Sequence, residues 1–281
     1  MILWGMYSPR LRGGTTVSDS ERVPPAINMN QMSHARAYNY VLGGKDNYAV
    51  DRAAARKVMR AAPDLPLLGR AQRRLLLRIV RMCAEQGIGQ FLDIGTGIPT
   101  EPNVHETAKE INPRARVAYV DYDPIVFVHN NALLATEPSV ISLQADVRDP
   151  EGIMDNPRVR SLIDYDKPML VLFAALFHLV TDAEDPAALV ARFRKRMVPG
   201  SHVMISQFCS DGSDPKAQAE LEEISVNSPS PMRFRTRAEI GRFFAGFELL
   251  GPGVADVQDW SPDEQVPATS LRIAAGVGKV V

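Results

Sequence analysis

The sequence has few of the features that mark secreted, membrane-bound or metal-binding proteins. Among its 281 residues there are only two cysteines, Cys83 and Cys209. They lie far apart without the short spacing of metal ligands, so they predict reduced thiols in a cytoplasmic protein. The longest uninterrupted apolar run, Met169 to Phe177, has nine residues and is too short to cross a bilayer. Residues 1–6 lack the length and the cleavage site of a signal peptide.

The chain also lacks an excess of charge of either sign. Its 32 basic and 33 acidic residues leave a formal net charge of −1. Proteins that bind nucleic acid or anionic membranes through surface charge carry a concentrated basic patch. We therefore expect no nucleic acid and no membrane among the partners. The hydrophobic content of 45% and the charged content of 23% are typical of a globular domain.

What the sequence does contain, from residue 90 onward, is a repeated alternation of short apolar runs and helical segments. Strands are predicted at 90–94, 117–120, 140–143, 169–176 and 202–208. Strands that alternate with helices predict a parallel sheet with right-handed crossovers. Two further strands are predicted at 247–250 and 270–277, joined by a long polar loop. The fold class is therefore α/β, in one domain preceded by a helical segment.

The residues before the first strand divide into an irregular tail and three helices. Residues 1–26 mix glycine, serine and proline without periodicity, which predicts a flexible tail. Helices are predicted from Ser33 to Leu42, from Asp51 to Arg60 and from Gln72 to Cys83. The third helix is apolar on one side, and we interpret the arginines on its other side as a solvated face: Arg73, Arg74, Arg78 and Arg81.

The strand at 90–94 ends in an acid and two glycines, Asp93, Gly95 and Gly97. Glycine tolerates a positive φ and has no Cβ, so this pattern predicts a tight turn where the backbone approaches a ligand. Open α/β sheets bind ligands at the carboxyl ends of their strands. A dinucleotide also uses such a turn, but the third glycine of its fingerprint is absent and Pro99 follows the second. A carboxylate would repel a pyrophosphate, whereas it would attract a ligand with a cationic group.

S-adenosylmethionine has the charge pattern that this turn favours, with an ammonium and a sulfonium group beside a ribose and an adenine. Asp121 ends the second predicted strand and can accept hydrogen bonds from both ribose hydroxyls. Asp146 follows the third strand and can accept from the adenine amino group, while the backbone N–H of Val147 meets a ring nitrogen. A single acid at a strand end is often only a turn residue. Three acids at three successive strand ends, with Asp93 as the first, favour an S-adenosylmethionine site.

The same residues resemble a known family. Three segments are similar to the first three motifs of class I S-adenosylmethionine-dependent methyltransferases: Asp93 to Gly97, Val120 to Pro124 and Ala145 to Val147. Together with the segment Ala35 to Tyr48, the pattern resembles a bacterial S-adenosyl methyltransferase family long described as a domain of unknown function. The resemblance implies a Rossmann-like, doubly wound sheet of seven strands, mostly parallel, with an antiparallel last strand.

The resemblance also implies how the chain is divided. Residues 27–281 would form one methyltransferase domain, in which about 27–88 are a helical cover. Thr96 and Tyr122 lie within the matching motifs and are expected to bind the cofactor with the acids and glycines named above.

The loop at 44–47, within the predicted cover, has two interpretations. Its composition fits a surface turn between helices or a segment that folds over a site built elsewhere. The resemblance favours the second interpretation. We therefore expect Tyr38 and Asn47 to contact S-adenosylmethionine.

The acceptor end is less clearly marked by the sequence. Methyl transfer needs a positioned acceptor and, when the nucleophile must lose a proton, a general base. His178 lies just past the fourth strand, in a stretch similar to the Leu-His-x-x-x-Asp-x-Glu of small-molecule O-methyltransferases, where the histidine is the base. His178 is therefore the candidate base, and a structural hydrogen-bonding role is the alternative.

Two functional hypotheses from different classes follow. The first is a methyltransferase acting on oxygen or nitrogen of a small molecule, because the chain lacks both the Asn/Asp-Pro-Pro-Tyr of amino methylation and a cysteine after a proline. The second is a regulatory protein that binds S-adenosylmethionine and transfers nothing. A dehydrogenase ranks third. Three arginines, Arg233, Arg235 and Arg237, either face an anionic substrate or form a solvated lid.

Overall fold

The computed structural model of the protein describes residues 31–226, 228, 230–260 and 267–281. The tail predicted at 1–26 lies outside the described residues. The α-helices of the described part are α1 His34–Val41, α2 Ala49–Ala61, α3 Leu65–Glu85, α4 Val104–Ile111, α5 Pro124–Leu133, α6 Pro150–Met154, α7 Pro157–Leu162, α8 Pro186–Arg194, α9 Pro215–Ser225 and α10 Arg237–Gly241. None of these helices combines the length and the apolarity needed to cross a bilayer.

The strands of the described part form one sheet. They are β1 Gln90–Ile94, β2 Arg116–Asp121, β3 Val140–Gln144, β4 Leu170–Ala174, β5 His202–Cys209, β6 Glu248–Leu249, β7 Ala255–Asp256 and β8 Arg272–Lys279. Short 3₁₀ helices follow β4 at Phe177–Leu179 and Asp182–Glu184, and another follows α10 at Arg242–Phe244.

The helices before the sheet begin and end largely where their sequence predicts. The Ser33 side chain caps α1, and Gly43 follows the helix with a φ of +91° that favours glycine. The third helix, α3, is longer than predicted, because it starts at Leu65 and not at Gln72. Pro66 lies in the first turn of α3, where a helix does not use the N–H that proline lacks, so the helix can start before it.

The topology confirms the Rossmann-like sheet. The strand order is β3-β2-β1-β4-β5-β8-β6, and β7 also pairs with β8. Strands β1 to β5 are parallel to one another, whereas β8 runs antiparallel to β5. The carboxyl ends of the five parallel strands therefore lie at the same end of the sheet. The helices that connect the strands lie on its two faces.

The sheet has the predicted seven strand positions, but two short strands share the last of them. Strands β6 and β7 have two residues each, and both pair with β8: Leu249 lies opposite Gly278, and Ala255 lies opposite Ala275. They follow one another along the same edge, so the two strands share a single position. Strand β7 falls in the predicted polar loop, because a two-residue strand has no alternation that a sequence pattern could reveal.

Each central strand sends alternate side chains into two hydrophobic layers. Phe91 packs into the layer with α3, whereas Leu92, the next residue of β1, packs into the layer on the opposite face with α8. Leu172 and Phe173 of β4 divide in the same way. Burial on both faces explains why these strands read as continuous apolar runs. It also fixes the positions of the loops that leave the carboxyl ends.

The N-terminal helices pack over the carboxyl end of the sheet. A buried ion pair between Arg36 and Asp51, at 2.6 Å, joins α1 to α2, and Asp51 also accepts from the backbone N–H of Ser33 at 2.9 Å. The Ser33 hydroxyl donates to Asp123, just beyond β2, at 2.6 Å. We call α1 and α2 the cover. Ser33 links the cover to the carboxyl end of β2.

Candidate active site

A large cavity lies between the cover and the carboxyl ends of β1, β2 and β4. Its empty volume, including the open mouth, is about 1440 Å³. The lining includes the turn after β1, the end of β2, the segment after β4 and both helices of the cover.

The turn after β1 has the backbone conformation that its glycines predict. Gly95 and Gly97 have φ values of +71° and +70°. A Cβ on Gly95 would lie 2.7 Å from Cδ1 of Leu176, so a side chain at this position would require Leu176 to move. The N–H of Gly97 donates to Oδ2 of Asp121 at 2.9 Å, which ties the turn to the end of β2. The turn therefore exposes backbone and not side chain to the cavity.

Asp93 is a buried carboxylate at the base of this turn. Its Oδ2 accepts from the Thr96 hydroxyl at 3.0 Å. Burial raises the pKa of Asp93 to about 6, although the nearby Arg73 guanidinium and the Thr96 hydrogen bond lower it. A buried carboxyl with few partners favours a ligand that brings a positive charge or a hydrogen-bond donor.

Arg73 is a cavity residue that the sequence interpretation placed on a solvated face. Its Nη2 donates to the backbone carbonyls of Thr100 and Pro102, both at 2.6 Å, and its Nε is buried without a partner among the described residues. The side chain joins α3 to the loop after β1. The spacing of arginines along α3 gives no indication of this, because the burial depends on where the loop at 100–102 crosses the helix.

Asp121 is the second buried acid of the cavity. Its Oδ1 accepts from the N–H of Asp123 at 2.9 Å, and its Oδ2 accepts from Gly97. Burial raises the pKa of Asp121 to about 7, and the two backbone hydrogen bonds offset part of that rise. The next residue, Tyr122, is 40% exposed at the mouth of the cavity.

The predicted adenine ligands lie beside the main cavity. Asp146 and Val147 line a smaller adjoining cavity, which also includes Asp121 and Tyr122. The Asp146 carboxylate is already paired with Arg148, whose Nη1 lies 3.0 Å from its Oδ2. The structure therefore brings these two residues next to the other predicted ligands, and it adds an arginine that the sequence interpretation did not include.

His178 lies in the 3₁₀ helix Phe177–Leu179 and lines the main cavity. Burial lowers the pKa of His178 to about 3, with further contributions from the charges of His34 and Arg235. The imidazole is therefore neutral, and its Nδ1 is buried with no partner among the described residues. The ring contacts the edge of Phe208, with centroids 4.9 Å apart. A neutral ring has one acceptor nitrogen, but its low pKa makes the free ring a weak base.

Comparison with known proteins assigns the family. The sequence profile of the S-adenosyl methyltransferase family matches residues 20–281. The chain belongs to this family. It is an S-adenosylmethionine-dependent methyltransferase, and S-adenosylmethionine is its cofactor.

Two solved structures are similar to the methyltransferase along almost its whole length. A DUF574 family protein from Streptomyces avermitilis is 35% identical with a TM-score of 0.84, over 90% of this chain and 99% of that one. A proposed methyltransferase from Thermobifida fusca is 37% identical with a TM-score of 0.84, over 93% of this chain and 99% of that one. No curated protein matches the sequence.

The cavity of the methyltransferase fits S-adenosylmethionine in two respects. Asp93 and Asp121 are buried acids, and burial raises the pKa of each. A cation or a hydroxyl donor on the ligand would therefore stabilise their ionised forms. The turn through Gly95 and Gly97 is a cradle that a side chain would fill or strain. The residues at the end of β1 and the end of β2 would hold the cofactor.

The two residues predicted in the cover of the methyltransferase have different positions. Tyr38 lines the main cavity, and its hydroxyl lies 3.0 Å from Oε1 of Gln72. Asn47 lines neither cavity: its Nδ2 donates to Asn39 Oδ1 at 3.0 Å and to the Gly44 carbonyl at 2.9 Å. Asn47 thus stabilises its own loop, and its contact with cofactor stays a prediction. The segments over the cavity are α1 and α2, and the loop 44–47 lines neither cavity.

The three arginines near the C-terminal end of the methyltransferase are paired with acids of the chain. Arg235 is 2% exposed; its guanidinium donates to the carbonyls of Phe177 and Val180, at 2.6 and 2.7 Å, and pairs with Asp182 at 2.8 Å. It thereby positions the segment that carries His178. Arg233 also pairs with Asp182, and Arg237 pairs with Asp256.

His34 is a second histidine on the cavity wall, and the sequence interpretation missed it. Its Nε2 lies 2.9 Å from the carbonyl of Ser230 and 3.0 Å from Oγ of Ser228. Burial lowers the pKa of His34 to about 4. Because a carbonyl only accepts, Nε2 carries the proton, which leaves Nδ1 as an acceptor. A lone histidine at a helix start carries no motif that would have identified it.

Proposed function

We propose that the enzyme transfers the methyl group of S-adenosylmethionine to an oxygen or nitrogen atom of a small molecule. The observation that supports the proposal is the shared cavity, whose lining includes the buried acids after β1 and β2 and the histidine after β4. When bound, S-adenosylmethionine supplies an electrophilic methyl group on a sulfonium centre. The chain has to hold both molecules in line and keep water out.

In this proposal Asp93 and Asp121 bind different parts of the cofactor. Asp93 faces the cationic amino-acid end, and Gly95, Thr96 and Gly97 contact it through the turn after β1. Asp121 accepts from the ribose hydroxyls. Because both carboxyls are buried, each donor that the cofactor brings replaces hydrogen bonds to water that folding removed.

The adenine end is assigned to the smaller adjoining cavity. Tyr122 lies at the junction of the two cavities, and Asp146 and Val147 lie beyond it. Asp146 has to accept from the adenine amino group while it remains paired with Arg148. A carboxylate has about four lone-pair sites, so both partners can be accommodated.

His178 is assigned the proton transfer. The neutral ring accepts a proton from the hydroxyl or amine of the acceptor, and Arg235 holds the segment in place through the Phe177 and Val180 carbonyls. The low pKa of the free ring means that proton transfer has to accompany attack on the methyl group.

The remaining assignments concern the whole chain. We propose that residues 27–281 form one methyltransferase domain with an N-terminal helical part at about 27–88, which includes α1 and α2 of the cover and α3. The family profile begins close to this boundary, at residue 20. A small-molecule acceptor, no nucleic-acid or membrane partner, and a cytoplasmic location complete the proposal.

The first arm of the test is cofactor binding. Isothermal titration calorimetry should detect S-adenosylmethionine binding to the wild type. Asp121→Ala should bind it roughly tenfold or more weakly, because a hydrogen bond to a charged group contributes about 1.5–3 kcal/mol. Asp166→Ala, which changes an exposed acid after α7, is the matched control and should bind normally. Equal binding by the wild type and Asp121→Ala would contradict the proposed site.

The second arm is turnover. Release of S-adenosylhomocysteine should be measured against a panel of small phenols, alcohols and amines. His178→Gln should lower kcat by roughly 10²-fold or more without changing cofactor affinity, whereas His129→Gln, on α5 and away from the cavity, should have no effect. Cofactor binding with no release on any compound would favour the regulatory alternative, and an unchanged kcat in His178→Gln would leave His178 a structural role.

A further inference from the structure

The cavity extends well beyond the part assigned to the cofactor. Its lining runs from Asp121 at the end of β2 to Ile273 on β8. In the sheet order, β1, β4 and β5 lie between β2 and β8, so four strand spacings separate them. At about 4.8 Å per spacing this corresponds to roughly 19 Å. We call the part of the cavity bounded by α2, α3, α9 and β8 the apolar half.

The apolar half is lined by aliphatic side chains. Helices α2 and α9 pack side by side over it, and an ion pair between Lys57 and Glu220, at 3.4 Å, joins them on their outer side. The inner side of each element contributes apolar residues, among them Ala54, Val58, Leu76, Leu221, Ile224 and Ile273.

Charge is confined to the other end of the cavity. Four charged side chains line it within the described residues. Asp93, Asp121 and Asp123 lie at or just beyond the carboxyl ends of β1 and β2, and Arg73, on α3, extends to the carbonyls of the loop at 100–102. No described residue from α2, α9 or β8 that lines the cavity carries a charge.

The polar groups near the apolar half are hydrogen-bonded within the protein. Gln72 donates to the Ser206 hydroxyl at 3.2 Å and accepts from Tyr38. The Ser225 hydroxyl donates to the Glu222 carbonyl and accepts from a backbone N–H, both at 2.8 Å. None of these side chains carries a charge, so an ion placed here would find no counter-ion among them.

We propose that the apolar half holds the methyl acceptor, and that the acceptor is an uncharged molecule with an extended apolar body. The inference rests on the proposed function, because it assigns this half to the acceptor. His178 follows β4, between β1 and the apolar half, so the one polar group of the acceptor would meet the imidazole while its body lies against α2, α9 and β8. Burial of a charge without a partner excludes charged compounds of the same shape.

Two fluorescent probes with the same aromatic body test this charge selection. N-phenyl-1-naphthylamine is neutral, and 8-anilinonaphthalene-1-sulfonate adds a single negative charge. Both should be titrated into the full chain saturated with S-adenosylhomocysteine. We expect the neutral probe to bind at least about tenfold more tightly, because the sulfonate would be buried unpaired.

A charge introduced into the cavity wall should change this preference. Ile224 lines the apolar half and is only partly buried, so Ile224→Lys should fold and should bind the neutral probe less tightly and the sulfonate more tightly than the wild type does. Val226→Lys adds the same charge two residues further on, at a residue that is 61% exposed and does not line the cavity. This control should retain the wild-type preference.

Each outcome decides for or against the proposal. A tighter neutral probe, with a change of preference in Ile224→Lys alone, supports an uncharged apolar acceptor. Equal binding of the two probes to the wild type, or equal effects of the two lysine variants, would overturn it. Binding of S-adenosylhomocysteine is measured separately by calorimetry, and its failure would count against the proposed function. The probe comparison would then still test whether the cavity selects uncharged molecules.

Discussion

The three acids at the strand ends have different environments, although each lies within two residues of the end of its strand. Asp93 and Asp121 are buried, and burial raises the pKa of each. Asp146 is partly exposed and paired with Arg148. The acids that hydrogen-bond donors or a positive charge would stabilise most therefore lie around the ends of β1 and β2. The proposal places the amino-acid and ribose parts of the cofactor there.

The pKa of Asp121 predicts a pH-dependent stability in the cofactor-free enzyme. Its folded-state pKa of about 7 exceeds the ordinary value of 3.8. The stability contributed by the protonated form is fully present below about pH 4 and is lost as the pH rises through 7. Asn does not ionise, so the stability of the wild type relative to Asp121→Asn should fall by up to about 1.4 kcal/mol per pH unit across this range.

Urea unfolding at pH 5, 6, 7 and 8 measures this difference. Asp182→Asn is the control, because Arg235 and Arg233 lower the pKa of Asp182 and its carboxylate is ionised throughout this range. Its difference from the wild type should stay constant. A constant difference for Asp121→Asn as well would contradict the raised pKa.

At the scale of elements, the turn after β1 depends on its two glycines for different reasons. Gly97 needs a positive φ but has open space around it, whereas Gly95 combines the positive φ with Leu176 at 2.7 Å from the place that a Cβ would occupy. Leu176 lines the cavity, so any movement that accommodates a side chain at Gly95 reshapes the site.

Alanine at each glycine should separate backbone strain from crowding. Gly97→Ala should lower the free energy of unfolding by about 1–2 kcal/mol through the left-handed conformation alone. Gly95→Ala should cost roughly 1–3 kcal/mol more, because it adds overpacking against Leu176. Urea unfolding without cofactor measures both variants. Equal losses would mean that Leu176 moves away at no cost.

The elements also show which parts of the structure the sequence could predict. Strands β1 to β5 were predictable because long apolar runs and strand-end acids depend on local pattern and on burial on both faces. The start of α3 was missed because Pro66 reads as a breaker but lies in the first turn. Strand β7 was missed because two residues pair only when β8 is already in place.

The cavity was predictable in part, for the same physical reason. Strand-end residues such as Asp121 are positioned by the sheet, so their placement follows from the predicted topology. Arg73 and His34 come from helices whose docking depends on tertiary packing, and no spacing in the sequence encodes it. Asn47 belongs to a segment that the resemblance singled out, but its side chain bonds to Asn39 and Gly44.

At the scale of the whole molecule, a polar contact links the cover to the sheet, in addition to the apolar packing of Val41, Ala55 and Val58 in the core. The Ser33 hydroxyl caps α1 and bonds to Asp123, so one side chain links α1 to the end of β2. The cavity lies beneath α1 and α2, so we expect the rates at which a ligand enters and leaves to depend on this link. The buried ion pair between Arg36 and Asp51 joins the two helices, so we expect them to respond together.

Ser33→Ala should therefore loosen the cover more than the sheet. Loss of a cap of about 1 kcal/mol predicts roughly fivefold faster amide hydrogen exchange in α1 and α2, with exchange in β1 and β4 unchanged. S-adenosylhomocysteine should dissociate faster by a similar factor. Hydrogen exchange with mass spectrometry and stopped-flow dissociation measure the two effects.

A matched serine far from the cover controls this prediction. Ser161 is exposed on α7, and within the described part of the chain its hydroxyl bonds only to the nearby Arg158 carbonyl, so Ser161→Ala should change neither rate. If Ser33→Ala accelerated exchange in β1 and β4 as much as in the cover, the variant would be unfolding globally and the cover would not open independently.

The position of β8 has a consequence for how the protein is made on the ribosome. Residues 272–279 lie between β5 and the short strands β6 and β7, so β8, which follows all the other described strands along the chain, occupies the interior of the sheet. Until these residues have emerged, the full length of β5 is an open, apolar edge, and such edges pair readily with other chains. Because both of its short neighbours also depend on β8, the C-terminal third of the sheet assembles in one late step. The nascent chain is therefore most prone to aggregation during the interval between the release of β5 and the release of β8.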